Sequence, residues 1–579
     1  MVLPFAAPVF YSVKRGACSM RNLKRLSALC LTVVLCAALL AGCKSDGDGL
    51  SLSVSVGAEP VSLDPIYAEE VGDQTILAHL YENLMRVTND GSGNAVVTNG
   101  MAKSVDMEEN YDGTVTYTFR LRSAKWSDGR AVKAGDFVYA WQRLANPASY
   151  SPYASLLSVV VGYDEARASG DMDLLQVSAK NDTTLVVVLN GNYDWFLSQV
   201  CTSPATMPLR KDVVQKLKDA ADEKNAQFPD ASGTARWWSD VAALVTNGAY
   251  QAVSWTEGDS MQLTSSEQYY GSTPGPKNLT FYFANTAEDA QTLYEGKVVD
   301  AVWPLTEERL TELAADEDWT AIPELGTYTV LLNSTKEPFS DPLIRQALCM
   351  VIDRNALAET AGVTAQPAEG LVPPGVPEGE DGEFRSTGGA VLDNDPELYE
   401  ENCRQAKAIL EEAGYNSGAD LGELEYLYME AGSNAAVAQA LCQMWSETLG
   451  VRVTPRGVTE KELWSALRTG EYTLAGVELG AVGNDAECFL MEWTSDSPDN
   501  VVGYENSAYD TLMAIIANAE DGTARMGCLH DAEDLLMSDY VLAPLYTKGT
   551  DWELRDSLAG ACRDTRGWFS FAGVMLRTS

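Results

Sequence analysis

The 579-residue chain holds two histidines, His79 and His530, among 83 acidic and 41 basic residues. Two imidazoles remove most routes to a His-ligated metal site or to acid–base chemistry near neutral pH. Past Cys43 come seven cysteines, Cys201, Cys349, Cys403, Cys442, Cys488, Cys528 and Cys562. Their odd number and the lack of a C-x-x-C spacing argue against a zinc site or a redox motif, so buried single thiols are expected rather than disulfides. No G-x-x-x-x-G-K-[ST], G-x-G-x-x-G, G-x-S-x-G or H-E-x-x-H occurs. Nucleotide, dinucleotide, serine-hydrolase and zincin chemistries therefore lack their usual support. Asp393-x-Asp395 opens like a calcium loop, but Leu398 stands where such a loop needs Gly and no Glu closes it. A facing carboxylate pair of glycosidase type is the remaining catalytic option, so a secreted hydrolase stays open beside a non-catalytic binding protein. No cofactor or metal is expected.

The elements that position these residues belong to a large globular protein. At about 150 residues per domain the length predicts three or four domains. An apolar fraction of 46% with 13 Trp, 25 Tyr and 13 Phe excludes bulk disorder. The acidic excess repels phosphate backbones and anionic headgroups, which excludes nucleic acid as a partner. From Met20 the chain reads as an export signal: Arg21, Lys24 and Arg25, then the apolar stretch from Leu26 to Leu40, too short for a membrane span. Leu40-Ala41-Gly42-Cys43 has the form of a bacterial lipobox. Residues 1–42 are thus expected to be a signal peptide with its true start at Met20. Cys43 is expected to carry lipid, and 43–49 to tether the protein to the extracytoplasmic face of the cell membrane. A plain secretory signal containing a Cys is the alternative.

Strands and helices alternate after the tether. Val115, Tyr117, Phe119 and Leu121 have the period of a half-buried strand, and Ser127-Asp128-Gly129-Arg130 supplies a hairpin-type turn. A helix from Pro342 carries Ile344, Ala347, Leu348, Val351 and Ile352 on one stripe. The Pro- and Gly-rich segment 366–395 is either a flap over a ligand or a solvated loop, and Asp395-Pro396 is expected to open a helix that Gly414 stops. Between Leu424 and Leu479 the reading is strand, helix, strand, helix, strand. Asn434 is expected to cap the first helix and Gly450 to stop it. Thr459 and Glu462 form the capping box of the second, which ends at Gly470. Such units build parallel sheets that bind ligands beyond the strand carboxyl ends, which places Gly476 to Asp485 at a binding edge.

Collinear segments across the mature chain resemble the oligopeptide-binding proteins of ABC importers, extracellular solute-binding protein family 5. They include Gly57-Ala-Glu-Pro-Val-Ser-Leu-Asp-Pro65, Tyr81-Glu-Asn-Leu84, Trp126-Ser-Asp-Gly129, Ala134-Gly-Asp-Phe-Val-Tyr-Ala-Trp-Gln-Arg143, Thr246-Asn-Gly-Ala-Tyr250, Arg345-Gln-Ala-Leu348, Asp353-Arg354 and Pro544-Leu-Tyr546. The resemblance implies an α/β, two-lobed periplasmic-binding-protein-like fold of class II. Lobe I is expected from 50–72, 205–290 and 548–579, an inserted domain from 73–204, and lobe II from 291–547. It also implies a monomeric receptor without catalysis that closes on a peptide or peptide-like solute held as an added β-strand, and that partners the permease and ATPase subunits of an importer.

Carried over by residue, the strand around Glu59 and the strand Gly476, Val477, Glu478 and Leu479 should flank the ligand backbone. Tyr139 matches a ligand-contacting Tyr, although Tyr139 and Trp141 cannot share a helical face, so one belongs to the core. Arg468 matches an Arg that meets a ligand carboxylate, while in a last helical turn a cation also suits the dipole. Four positions depart from the family. Gly480 stands where peptide binders carry the Asp that pairs with the peptide α-amine, Leu474 replaces an Arg, Asn434 a His and Lys461 an aromatic. Glu478 or Asp485 could take over the ammonium, since a desolvated charge needs a partner; otherwise the ligand lacks a free amine or is not a peptide. Nickel is disfavoured by the histidine count.

Overall fold

The computed structural model describes residues 49–577 apart from 92–94, 226–235, 273–274, 317–318, 380–381, 482, 518 and 520–521. The export signal, Cys43 and all but the last residue of the tether lie outside the described residues. Three larger sheets organise the rest. In the first, Ser51–Val56 lies parallel to Asn278–Tyr282 on one side and Ala301–Trp303 on the other, with Ser260–Ser265, Tyr250–Thr256 and Glu553–Leu554 completing six strands. A four-stranded antiparallel sheet holds Ala102–Glu109, Val115–Leu121, Thr184–Leu189 and Val177–Asn181. Val115, Tyr117, Phe119 and Leu121 are all buried there, as their period demands. One continuous core backs both sheets and includes Trp126, Phe137, Trp141 and Phe196.

The second six-stranded sheet runs in the order Gln366–Pro367, Leu542–Thr550, Ile322–Leu332, Leu474–Gly480, Glu423–Met429, Arg452–Val458. Its last three strands are the parallel unit expected from the sequence. The helix Asn434–Leu449 presents Val437, Leu441, Trp445 and Leu449 to one core, and the helix Glu460–Thr469 presents Leu463 and Leu467 to another. At about 1.5–3 kcal/mol for each fully buried large apolar side chain, these stripes outweigh the weak intrinsic preference of short helices. The Thr459–Glu462 capping box forms, and Gly450 and Gly470 end their helices with positive φ.

Several local expectations shift. Ser433 rather than Asn434 occupies the cap, and the Asn434 side chain instead donates to the Met429 carbonyl, 3.1 Å. The helix expected from Asp395 begins at Tyr399, because Asp395 first accepts from the amide of Glu397 in a local turn. Segment 366–395 is a solvated loop only in part, with 386–390 exposed. Leu371, Val372, Val376 and Phe384 are buried in the core of the second sheet, and Arg385 pairs with the buried Glu533 at 2.7 Å. Ala301–Trp303, inside the stretch expected for lobe II, pairs into the first sheet beside Ser51–Val56.

The segments that carry the family resemblance support one another. Asp64 receives two hydrogen bonds from Arg143, one at 2.6 Å, and a third from the Trp237 indole at 2.7 Å. Asn247 accepts from the Glu82 amide at 3.1 Å and donates to the Glu82 carbonyl at 2.9 Å. Asp136 receives both the Trp126 indole, 3.1 Å, and the Lys133 amide, 2.9 Å. The Asp64 and Asn247 bonds satisfy buried or part-buried polar groups across long stretches of chain, a requirement of burial, whereas the Asp136 bonds are local.

Candidate ligand-binding cleft

The chain passes between the two six-stranded sheets twice. It leaves Ala301–Trp303 for Ile322–Leu332, and returns from Leu542–Thr550 to Glu553–Leu554. The two crossing strands lie side by side, Ile322 opposite Thr550, with a register shift between Pro323 and Thr327. Indole hydrogen bonds clasp the crossing, from Trp303 to Thr550 at 3.1 Å and from Trp319 to Asp551 at 2.7 Å. The crossing is thus paired and locally irregular.

Beside the crossing lies the strand Leu474–Gly480. Ile322–Leu332 occupies one edge along its whole length, from Gly326 opposite Gly480 to Leu332 opposite Leu474. Glu423–Met429 occupies the other edge only from Leu474 to Gly476. Among the described residues, the second edge of Val477 to Gly480 has no strand beside it. Alternation sets what this stretch can offer. Val477 and Leu479 point into the core. Gly476 is buried under the tyrosines of the other face, where a Cβ would lie 1.9 Å from the Tyr426 hydroxyl oxygen and 2.7 Å from that of Tyr328. Only main chain and the Glu478 side chain are left to meet a partner. Glu478 is solvent-reachable yet crowded by protein, which raises its carboxyl above the ordinary range; Lys548 opposes that shift and Glu324 adds to it.

Past Gly480 the chain enters a cavity of about 290 Å³. Glu324, Leu325 and Ala481 form its wall on the second-sheet side, and Val71, Trp303, Arg563, Thr565 and Arg566 form the wall on the first-sheet side. A smaller cavity of about 110 Å³ shares Ala481 and Arg566 and reaches Gln74 and Tyr153. Two larger hollows, of about 900 and 420 Å³, are each walled by one half of the molecule alone. None of the residues expected to touch ligand lines those two.

The other expected residues fall in different places. The Glu59 carboxylate accepts from the Trp255 indole at 2.8 Å and the Gly258 amide at 3.0 Å, which ties it to its own sheet. Tyr139 is half-buried on the helix Ala134–Ala145 with the Lys211 ammonium 6.0 Å over its ring, while Trp141 on the other face is core and donates to the Thr206 carbonyl, 3.0 Å. Arg468 is exposed in the last turn of its helix, with no hydrogen bond or ion pair among the described residues.

Asp485 is 4% exposed and pairs with Arg525, itself 2% exposed, at 2.7 Å. Arg525 also holds Glu487 at 2.7 Å, and Glu487 accepts from the Trp195 indole at 3.3 Å. The Asp485 carboxylate is thus spent inside the protein, leaving Glu478 as the acid beside the open edge. Arg563, Arg566, Trp303 and Glu324 were not singled out from the sequence; the one available signal was two cations close together, in Cys562-Arg-Asp-Thr-Arg566, within a strongly acidic chain. All seven described cysteines are unpaired, five of them buried. Among the described residues no group of three or more His, Cys, Asp or Glu side chains could hold a metal ion.

Two sheet-centred halves joined by paired crossing strands, with a strand edge left open beside cavities walled by both, define the architecture of a solute receptor. The chain belongs to the bacterial extracellular solute-binding proteins, family 5, whose middle-region model matches residues 96–501. It is 28% identical over 495 residues to the probable deoxycholate-binding periplasmic protein YgiS of Escherichia coli K12, covering 84% of this chain and 86% of that one. It is 30% identical over 508 residues to the periplasmic oligopeptide-binding protein OppA of Haemophilus influenzae, covering 85% and 87%. The crystal structure of Haemophilus influenzae OppA in complex with RPPGFSPFR superposes with a TM-score of 0.72 at 26% identity, over 91% of this chain and 99% of that one. The protein is accordingly an extracytoplasmic solute-binding component of an ABC importer and not an enzyme, and the hydrolase alternative falls.

Proposed function

We propose that this protein captures oligopeptides or peptide-like solutes in the cleft between its two halves and delivers them to an ABC import permease, anchored by lipid on Cys43. The observation that carries the reading is the unpartnered edge of Val477 to Gly480. Its side chains are mostly withdrawn into the cores, so it offers an extended ligand main-chain hydrogen bonds without dictating sequence. Glu59, Tyr139 and Arg468 belong to the proposed ligand surroundings on family resemblance, with 73–204 as the inserted domain. Water in roomy side-chain pockets would extend sequence tolerance.

The test is isothermal titration with a mixed library of di- to hexapeptides. Binding heat is expected; no heat from any peptide, with protein shown folded by circular dichroism, rejects peptide specificity. A second reading, a receptor for a non-peptide acid, draws support from Gly480 at the usual Asp position and from the deoxycholate relative. Saturable binding of deoxycholate together with silence toward the library favours it.

A further inference from the structure

Arg563 and Arg566 both wall the cavity beyond Gly480, but their commitments differ. Arg566 is fully engaged. It bonds Asp564 at 2.8 Å, the Gln199 carbonyl at 2.9 Å and the Thr202 hydroxyl at 2.8 Å. Among the described residues Arg563 makes one side-chain hydrogen bond, from Nε to the Gly567 carbonyl at 3.1 Å, and its guanidinium lies 5.9 Å over the Phe569 ring. Its Nη1 is buried without a hydrogen-bond partner among the described residues.

A tight turn presents this side chain. Cys562–Arg563 pairs with Phe569–Ser570, the Asp564 amide donates to the Trp568 carbonyl at 2.8 Å, and Gly567 closes the turn at φ +106°. A Cβ at Gly567 would sit 3.2 Å from Arg563 Nη2, so the glycine also makes room for the guanidinium. Burial lowers the Arg563 pKa, while the fields of Glu324, Asp564 and Asp551 work against that shift. Glu324 lines the same cavity but makes no ion pair with Arg563. A guanidinium held on one side by a ring and a carbonyl, with a buried donor unspent, is shaped to take an oxyanion in its fork.

We infer that Arg563 receives a carboxylate of the ligand in the cavity beyond the end of the strand Leu474–Gly480. The assignment rests on the reading that a peptide main chain lies along that strand. It adds a charge requirement to a strand edge that otherwise reads backbone alone.

Isothermal titration of the full chain with trialanine, trialanine amide, N-acetyl-trialanine and N-succinyl-trialanine measures the worth of a carboxylate at either ligand end. One of the two carboxylates is expected to improve affinity about tenfold over its uncharged counterpart. Arg563→Gln should erase that gain while leaving the uncharged counterpart unchanged within error. Arg563→Met, which keeps an apolar stem against Phe569 and removes the charge, replaces the glutamine variant if the latter does not fold. Gains that survive the substitution, or no gain from either carboxylate, overturn the assignment while peptide binding stands. Silence of all four probes with protein that melts cooperatively overturns the assignment, and silence of the di- to hexapeptide library as well removes the peptide reading with it.

Discussion

With two imidazoles in the chain, each reports its own surroundings. His79 is buried; its Nδ1–H donates to the Thr75 carbonyl at 2.7 Å and its Nε2 accepts from the Phe571 amide at 3.0 Å, which fixes the neutral tautomer. Burial lowers its pKa to about 4. The unfolded chain takes up this proton below about pH 6.5 and the folded protein only near pH 4. The neutral imidazole therefore contributes stability above pH 6.5, roughly 3 kcal/mol at most, that is lost as pH falls toward 4. Asp73 and Glu492, both raised to about 7 chiefly by burial, act with the opposite sign and lose stability as pH rises through 7. The site-specific check is an NMR titration, in which the ring signal of His79 should stay unprotonated down to about pH 4; a midpoint near 6.5 contradicts its burial. At the cleft, Glu478→Gln should weaken free-amine peptides by about 1.5 kcal/mol and leave N-acetylated ones unchanged, read by titration calorimetry. Equal losses for both would remove Glu478 as the substitute for the acid missing at Gly480.

Among the elements, the segment from Gly483 to Leu490 is held from two directions. Cys488 joins the core behind the first and four-stranded sheets, while Phe489 and Leu490 join the core of the second sheet. Arg525, on the helix Gly522–Ser538, neutralises Asp485 and Glu487 at that junction. Removing the cation leaves two buried carboxylates facing each other, so Arg525→Gln should cost about 3–5 kcal/mol at pH 8. The loss should shrink at pH 5. Burial already raises the Glu487 carboxyl and Arg525 opposes that shift, so removing the cation raises it further and protonation relieves the penalty as pH falls. Thermal or urea unfolding at the two pH values checks this; a pH-independent loss would show the carboxylates to be compensated elsewhere.

At the scale of the whole molecule, the proposed function makes the paired crossing strands the place where a hinge would act. Closure would then bend the chain at two adjacent connections, since packed interiors resist deformation. A peptide that bridges the open edge of Val477 to Gly480 and the wall of Arg563 should draw the halves together. Small-angle scattering at saturating peptide should show a smaller radius of gyration than the free protein. Superimposable curves, with binding confirmed calorimetrically, would sink closure as the response to ligand.

Local patterns were legible because their causes are local. The period-two burial of Val115 to Leu121, the Thr459–Glu462 box, and the strand–helix–strand–helix–strand unit up to Gly480 each depend on neighbours within a few residues. The family resemblance was legible as well, although several of the motif residues that carry it, such as Asp64, Arg143 and Asn247, are held in hydrogen bonds that brace the scaffold. Non-local electrostatics and strand pairing were not legible. Sequence offered Asp485 and Glu478 as equal candidates, and only Arg525, forty residues away and buried beside it, decided that Asp485 is spent. Nor could spacing show that Val477 and Leu479 face a core, that Glu423–Met429 stops short along one edge, or that a turn at Gly567 brings Arg563 to the same cavity as Ala481. The sequence by itself determined the element types, because periodicity and capping are short-range, and it carried the class of receptor through its resemblance to a known family. Which acid is free and which backbone edge is open was settled by tertiary structure, because both depend on burial and partners contributed from distant parts of the chain.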